Sequence, residues 1–289
     1  MSEPTQDLKD KAATLAEALP YLRRYWGAVM VIKCGGAVLL DPAIQSSVLE
    51  DVTLLRYAGM KPVLVHGGGP EISEMMRRLG KEPKIVEGLR VTDAETMDIV
   101  QMVLVGRINQ QLVAAVNQQG GRAVGLSGRD DRLVIAVKHA GPVDLGQVGE
   151  IEEIRPQLLL TLLQEGYVPV VAPIAAGRSG ETFNVNADHA AGHLAGALGA
   201  AKLIILSDVA GVLRDRRDES SLISTMTVNE AQKVLDSGAV EEGMKPKIEG
   251  CLSALRSGVE RCHIIDGRIP HALLMEVLTD VGIGTMITG

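Results

Sequence analysis

Along residues 6 to 26, Leu8, Ala12, Leu15, Leu19 and Leu22 recur at spacings of four and three, with charged side chains between them. That period is helical and leaves one narrow apolar stripe, which predicts an N-terminal helix with no neighbour in sequence to cover it. Pro20 lacks an N–H and collides with the preceding turn, so the helix should kink or divide there. From residue 28 the pattern changes to short β-branched runs that alternate with helical segments. Val29-Met30-Val31-Ile32 and Pro62-Val63-Leu64-Val65 read as buried strands, as do 123–126, 133–138, 168–173, 202–207 and 262–266. Asp41-Pro42 supplies an N-cap and a first-turn proline for a helix that runs to Tyr57 and stops at Gly59. Pro70 opens another that Gly80 ends. Thr92-Asp93-Ala94-Glu95 has capping-box spacing at the head of a long helix reaching Gly120-Gly121. Residues 84–91 read as a hairpin over the sheet, and helices fit 155–165, 188–198, 228–236 and 245–258. Interleaved strands and helices predict an α/β fold, a three-layer sandwich around a mainly parallel sheet, with ligands at the carboxyl ends of the strands.

Composition narrows the partners more than the fold. Aromatic residues make up only 2% of the 289, so the core must be built from Val, Ile, Leu, Ala and Met, which suits a sheet covered by helices. A formal charge of -7 argues against nucleic acid or an anionic membrane as the main partner, and any positive charge used on a ligand must be local. The three cysteines, Cys34, Cys251 and Cys262, are scattered and lack metal spacing. With no signal-peptide pattern and no evident membrane span, a reducing cytoplasm is expected.

The candidate chemistry lies where strands end in glycine. Lys33 runs into Cys34-Gly35-Gly36, and His66 into Gly67-Gly68-Gly69-Pro70. Bare backbone ahead of a helix N-terminus lets an anion approach free N–H groups without meeting a Cβ, so the pair reads as two phosphate cradles. The usual nucleotide signatures are missing: there is no G-x-x-x-x-G-K-[ST], no protein-kinase H-R-D or D-F-G, and no dinucleotide fingerprint. In the second half, Asn184-Val185-Asn186-Ala187-Asp188 puts two amides and a carboxylate before a small-residue helix, where Asp188 serves equally well as a plain N-cap or a functional group. Ser207-Asp208-Val209-Ala210-Gly211 ends a strand in a turn suited to a base and ribose. Glu242-Gly243-Met244-Lys245-Pro246-Lys247 opens a helix with a cation in its first turn, where the dipole disfavours one; Lys247 therefore calls for an anionic partner.

In chain order, Val31-Ile32-Lys33-x-Gly35-Gly36, His66-Gly67-Gly68-Gly69-Pro70, Gly88-Leu89-Arg90-Val91-Thr92-Asp93, Asn184 to Asp188, Ser207-Asp208-Val209-x-Gly211 and Gly243-Met244-x-x-Lys247 resemble the amino acid kinase family, over nearly the whole chain. The nearest branch phosphorylates the γ-carboxylate of N-acetyl-L-glutamate with ATP in arginine synthesis. An ionised carboxylate needs no general base. The obstacle is anion repulsion, about 4 kcal/mol per charge pair at about 4 Å and an effective dielectric of about 20. The resemblance implies that Lys33 and Lys247 relieve it from opposite sides while Asp188 holds both. Gly36 and Gly68 would lend backbone donors, Gly35 and Gly36 would lie at the ATP site, and Mg²⁺ would ride mainly on the ATP phosphates. Arg90 and Asn184 would hold the substrate, with Gly68-Gly69 facing its γ-carboxylate. Asp208, Gly211 and Lys245 would face the nucleotide. The likeness lapses at Cys34 and Ala37, where relatives commonly carry tyrosine and asparagine; if that asparagine supports the ATP phosphates, this one contact is not implied here.

It further implies a substrate-binding lobe over 27–180 and a nucleotide-binding lobe over 181–289, with residues 1–26 as an oligomerising, regulatory helix. That helix and the tail 276–287 are similar to the arginine-inhibited branch, in which such helices join dimers into a homo-hexamer. L-arginine would then bind between helix and tail, with Glu276 meeting its guanidinium and Tyr21 nearby. Two alternatives remain at this point: a relative acting on an aminoadipate derivative held by a carrier protein, and a regulator that binds nucleotide or arginine without catalysis.

Overall fold

The computed structural model describes residues 5–215, 217–238, 240 and 243–289; Glu242, at the head of the Lys247 motif, lies outside them. Val29–Cys34 forms the middle of the main sheet. On one side of it lie Lys61–His66, Val168–Ala176, Val134–Lys138 and Gly149–Ile154; on the other lie Lys202–Ser207, Arg261–Asp266, Thr285–Thr288 and Thr225–Thr227. Ala123–Gly128 and Thr182–Asn184 pair with Val168–Ala176 off that path. The central pairings are parallel, as expected. The chain leaves the first strand in one direction and later returns to its other edge, so the carboxyl end of Val29–Cys34 is a switch point, where a crevice opens between diverging connections.

Side-chain alternation decides what faces that crevice. Met30, Ile32 and Cys34 enter one apolar cluster with the helices Pro42–Tyr57 and 94–118. Val31 enters the opposite cluster, with the helices Ala187–Ala197 and Lys245–Arg256. Lys33 shares the Val31 face, and His66, two residues after Leu64, shares the other. The two glycine turns thus begin side by side, Cys34 opposite His66, with one polar side chain sent to each face.

Most expected elements are present, and their ends follow local chemistry. The N-terminal stripe divides at Ala18 into helices Gln6–Glu17 and Leu19–Arg24, with Pro20 in the first turn of the second. Leu8, Leu15 and Leu19 on this stripe are exposed. Asp41 Oδ1 accepts from Ala43 N and Ile44 N, a cap worth about 1 kcal/mol. Ahead of the long helix the cap is Asp93, whose Oδ1 accepts from Thr96 N; Thr92 donates instead to Arg90 O and does not form the expected capping box. That helix is α-helical over Ala94–Gln101, π-helical over Met102–Asn109 and α-helical again over Gln110–Gln118. Its length and apolar character match a membrane span, contrary to expectation, but Val100, Val103, Leu104 and Val116 are buried within the fold. The strands Gly149–Ile154, Thr182–Asn184, Thr225–Thr227 and Thr285–Thr288 and the helix Ala272–Leu278 were not expected.

That last helix is tied to Pro42–Tyr57 through a buried carboxylate. Asp51 is fully enclosed, His271 Nδ1 lies 2.7 Å from its Oδ1, and His271 N donates to Ser47 Oγ at 3.0 Å. The hydrogen bond to Asp51 raises the His271 pKa above its ordinary 6.5. A group whose folded pKa is raised contributes stability below the unfolded value and loses it as pH climbs through the folded one. Urea midpoints should therefore fall as pH rises from the ordinary histidine value of 6.5 through the raised folded one, and the His271→Asn variant should lose most of that slope. An unchanged slope in the variant would remove this pair as its source.

Candidate active site

Lys33 leaves the strand just before Gly35 and folds back over it. A Cβ at Gly35 would lie 2.6 Å from Lys33 Nζ, so glycine there makes room for the ammonium. Gly36 follows in the left-handed region, at φ +49°, which glycine adopts at no steric cost. Lys33 Nζ reaches Asp188 Oδ1 at 2.9 Å, and both side chains are buried. The approach is a close ion pair, and among the described residues Asp188 Oδ1, though buried, has no hydrogen-bond partner.

Asp188 is free for this because it is not the helix cap. Asn186 Oδ1 accepts from Asp188 N at 2.8 Å and His189 N at 3.2 Å, which leaves the Asp188 carboxylate to face Lys33. The helix Lys245–Arg256 crosses at the same level on bare backbone. A Cβ at Gly250 would lie 2.5 Å from Asp188 O, and one at Gly192 would run into the Gly250 carbonyl. Lys247 lies in the first turn of this helix, one turn before Gly250. Lys247 Nζ donates to Gly243 O at 2.6 Å, one turn back; the bridge expected from Asp188 to both lysines is made to Lys33.

Opposite the ion pair stands the hairpin Ile85–Val86/Leu89–Arg90. Arg90 Nη2 donates to Gly69 O at 2.8 Å and Ser73 Oγ at 2.7 Å, which ties the hairpin to the second glycine turn. Burial, then the neighbouring Arg77, lowers its pKa. Asn184 Nδ2 donates to Thr92 Oγ1 at 3.3 Å, joining the strand Thr182–Asn184 to the segment that leaves this hairpin.

A cavity of about 290 Å³ opens between these groups, at the small end of ligand-sized clefts. Of the residues expected at the site, Lys33, Gly35, Gly36, Gly68, Gly69, Arg90, Asn184 and Asp188 line it. Lys247, Lys245, Asp208 and Gly211 are not among its lining. Lys245 is exposed near Glu249, at 4.0 Å. Gly211 has a packing reason to be glycine, since a Cβ would lie 2.6 Å from Thr285 Oγ1. Burial pushes the Cys34 thiol up to about 12 in spite of Lys33, so it is an inert strand residue.

A second cavity, of about 230 Å³, contains both Tyr21 and Glu276. Glu276 is enclosed, with Oε1 2.7 Å from His263 Nδ1 and 3.9 Å from Lys202 Nζ. Burial opposes its ionisation, yet His263 and Lys202 carry its pKa below the ordinary value. Burial brings Lys202 down to about 8 although Glu276 pulls the other way. His263 and Lys202 escaped the sequence reading because each looks like a residue of a buried strand.

The profile of the amino acid kinase family matches residues 28–266. The chain belongs to the amino acid kinase family. It is 52% identical to acetylglutamate kinase from Pelotomaculum thermopropionicum over 288 residues, 96% of this chain and 98% of that one. Among solved structures of this fold, N-acetylglutamate synthase from Neisseria gonorrhoeae with coenzyme A and N-acetylglutamate superposes with TM-score 0.85 at 28% identity, over 96% of this chain; this chain spans 63% of that one. The same synthase with coenzyme A and L-arginine superposes with TM-score 0.81 at 25% identity, over 96% of this chain and 65% of the synthase. The family relationship fits an enzyme whose cavity pairs cations with glycine backbone.

Removing one member of the Lys33–Asp188 pair strands the other in a buried setting. Lys33→Met should cost about 2–3 kcal/mol, below the range for sealed pairs because the cavity admits water. The double variant Lys33→Met/Asp188→Leu should recover most of that loss in urea titrations; a double variant no more stable than the single would refute the charge argument.

Proposed function

We propose that this enzyme transfers the γ-phosphoryl group of ATP to the γ-carboxylate of N-acetyl-L-glutamate. The observation that carries the reading is one cavity holding a buried Lys33–Asp188 pair, an arginine on the opposite wall and two glycine turns between them. The substrate oxygen attacks phosphorus as the bond to the ADP bridging oxygen breaks, and no proton has to move. The residues supply charge and position. Lys33 approaches one side of the transferring group, and Lys247 turns from Gly243 O to the other. Asp188 Oδ1, which still lacks a hydrogen bond, has the capacity to receive that second ammonium.

Arg90 and Asn184 orient the α-carboxylate and acetamido group, and a planar guanidinium gives the bidentate grip that lysine lacks. Asp208, Gly211 and Lys245 belong to the nucleotide side, residues 181–289, with 27–180 as the substrate lobe. ATP supplies the phosphoryl group, and Mg²⁺ bound to it neutralises phosphate charge. Among the described residues no three His, Cys, Asp or Glu side chains converge, a donor set that fits a metal held mainly by the phosphates. Buried, unpaired thiols at all three cysteines suit a cytoplasmic enzyme.

The second cavity supports feedback inhibition by L-arginine. It joins the N-terminal helices to the tail, and Glu276 offers a carboxylate and Tyr21 a ring to a guanidinium-bearing ligand. The exposed Leu8, Leu15 and Leu19 support assembly of dimers into a hexamer through residues 1–26. Arginine should inhibit the intact chain and fail to inhibit one lacking residues 1–26; equal inhibition would remove the helix from the mechanism.

Coupled ADP release should be fast with N-acetyl-L-glutamate and weak with glutamate or aminoadipate derivatives. Arg90→Lys should raise KM for the acceptor about tenfold or more with kcat little changed, because it removes a grip made equally before and during transfer. Lys247→Met should lower kcat about a hundredfold with ATP affinity retained. Faster turnover of an aminoadipate derivative, or none of any acceptor, would overturn the assignment.

A further inference from the structure

The second glycine turn begins at a histidine that the reaction above does not use. His66 is fully buried on the sheet face opposite Lys33, where it meets the helix 94–118. Its Nδ1 lies 2.9 Å from Gly67 O and its Nε2 lies 3.2 Å from Asn109 Nδ2. Asn109 closes the π-helical segment Met102–Asn109, and the wider turn there delivers its amide to the end of the strand Lys61–His66. Gly125 leaves the space that the Asn109 amide occupies, since a Cβ there would run into Oδ1.

This arrangement determines which ring nitrogen carries the proton. Asn109 Nδ2 donates to Val170 O at 2.8 Å. Exchanging its oxygen and nitrogen would set two acceptors against each other at that distance, so the nitrogen must be the atom facing Val170 O and His66. Nε2 of His66 therefore accepts, and Nδ1 carries the hydrogen and donates to Gly67 O. Protonating Nε2 would oppose two donors, and burial also disfavours it by drawing the His66 pKa down to about 4. The ring is a neutral, fixed donor at neutral pH.

The consequence falls on the next amide. In a trans peptide the C=O and N–H of one unit point opposite ways. Gly67 O and Gly68 N–H belong to one unit, so anchoring the carbonyl towards His66 turns the N–H away from the helix and into the cavity that Gly68 lines. The neighbouring groups are committed elsewhere: Gly67 N donates to Cys34 O at 2.9 Å and Gly68 O accepts from Ile72 N at 2.9 Å. Among the described residues Gly68 N–H has no acceptor. We propose that His66 is a positioning residue: as the Nδ1–H tautomer, seated by Asn109, it holds the Gly67 carbonyl and so aims the Gly68 N–H at the transferring phosphoryl group. What that N–H meets rests on the phosphoryl-transfer reading; the tautomer and the peptide orientation do not.

The test separates the two ring nitrogens. Asparagine at 66 sets its amide nitrogen near the Nδ1 position and keeps a donor for Gly67 O, whereas glutamine reaches the Nε2 position and leaves that carbonyl unheld. His66→Asn should keep kcat within about fivefold of wild type, and His66→Gln should lose about a hundredfold, the cost of one misplaced transition-state donor. Both should hold KM for ATP and acceptor within about threefold. Equal losses in the two variants, or losses confined to KM, would overturn the proposal. On the unaltered full chain, ¹⁵N-histidine NMR should give His66 a pyrrole-like Nδ1 and a pyridine-like Nε2, with the ring signals assigned by through-bond correlation to the backbone of residue 66. The reverse tautomer would refute it even if neither variant folds. Wild-type protein that turns over no acceptor would sink the phosphoryl-transfer reading, and the nitrogen shifts would still judge the role of His66.

Discussion

The arrangement depends on one buried ion pair, Lys33 with Asp188, placed where the two halves of the sheet diverge. Burying an ammonium is expensive, and a carboxylate 2.9 Å away lowers that cost while holding the charge where a ligand can use it. The pairing needs several separate concessions from the sequence. Gly35 yields space to the ammonium, Asn186 takes over the capping of the helix, and Gly192 and Gly250 let the crossing helix approach on bare backbone. Each is unremarkable alone. Together they hold a buried ammonium in the wall of a cavity in a protein whose formal charge is -7.

The second glycine turn solves the complementary problem of direction. A cation attracts from any side, whereas a backbone N–H must point at its acceptor. Strand parity sends Lys33 to one face and His66 to the other, so charge is supplied from one layer of helices and orientation from the layer behind the sheet. The π-helical segment belongs to this second function, because a regular α-helix would not bring Asn109 to the same position. Arg90, tied to Gly69 O, closes the turn from above.

Much of the fold was legible because the parallel strands are continuous β-branched runs, a pattern set by burial on both faces. The edge strands were not: Gly149–Ile154 is half charged and borrows its conformation from an antiparallel partner. Helix ends were read well where Asp41 caps its own helix and less well where two capping residues adjoin, as at Thr92-Asp93 and at Asn186 beside Asp188. In the first cavity, Lys33 and the residues of the two glycine turns stand where the sequence pointed, whereas Lys247, Lys245, Asp208 and Gly211 lie outside its lining. His66, His263 and Lys202 were missed, because their significance arises from partners distant in sequence that a periodic pattern does not reveal. The π-helical segment was equally invisible, since a run of Val, Leu and Ile packs with either period.

The central claim is that this cavity places cations around an acyl phosphate in the making. Trapping that product with hydroxylamine is the most direct measurement. With ATP and N-acetyl-L-glutamate, the account predicts accumulation of the γ-hydroxamate in step with ADP, and none with Lys33→Met folded and saturated with both substrates. ADP formed without hydroxamate, or hydroxamate formed at the wild-type rate by the Lys33 variant, would contradict it.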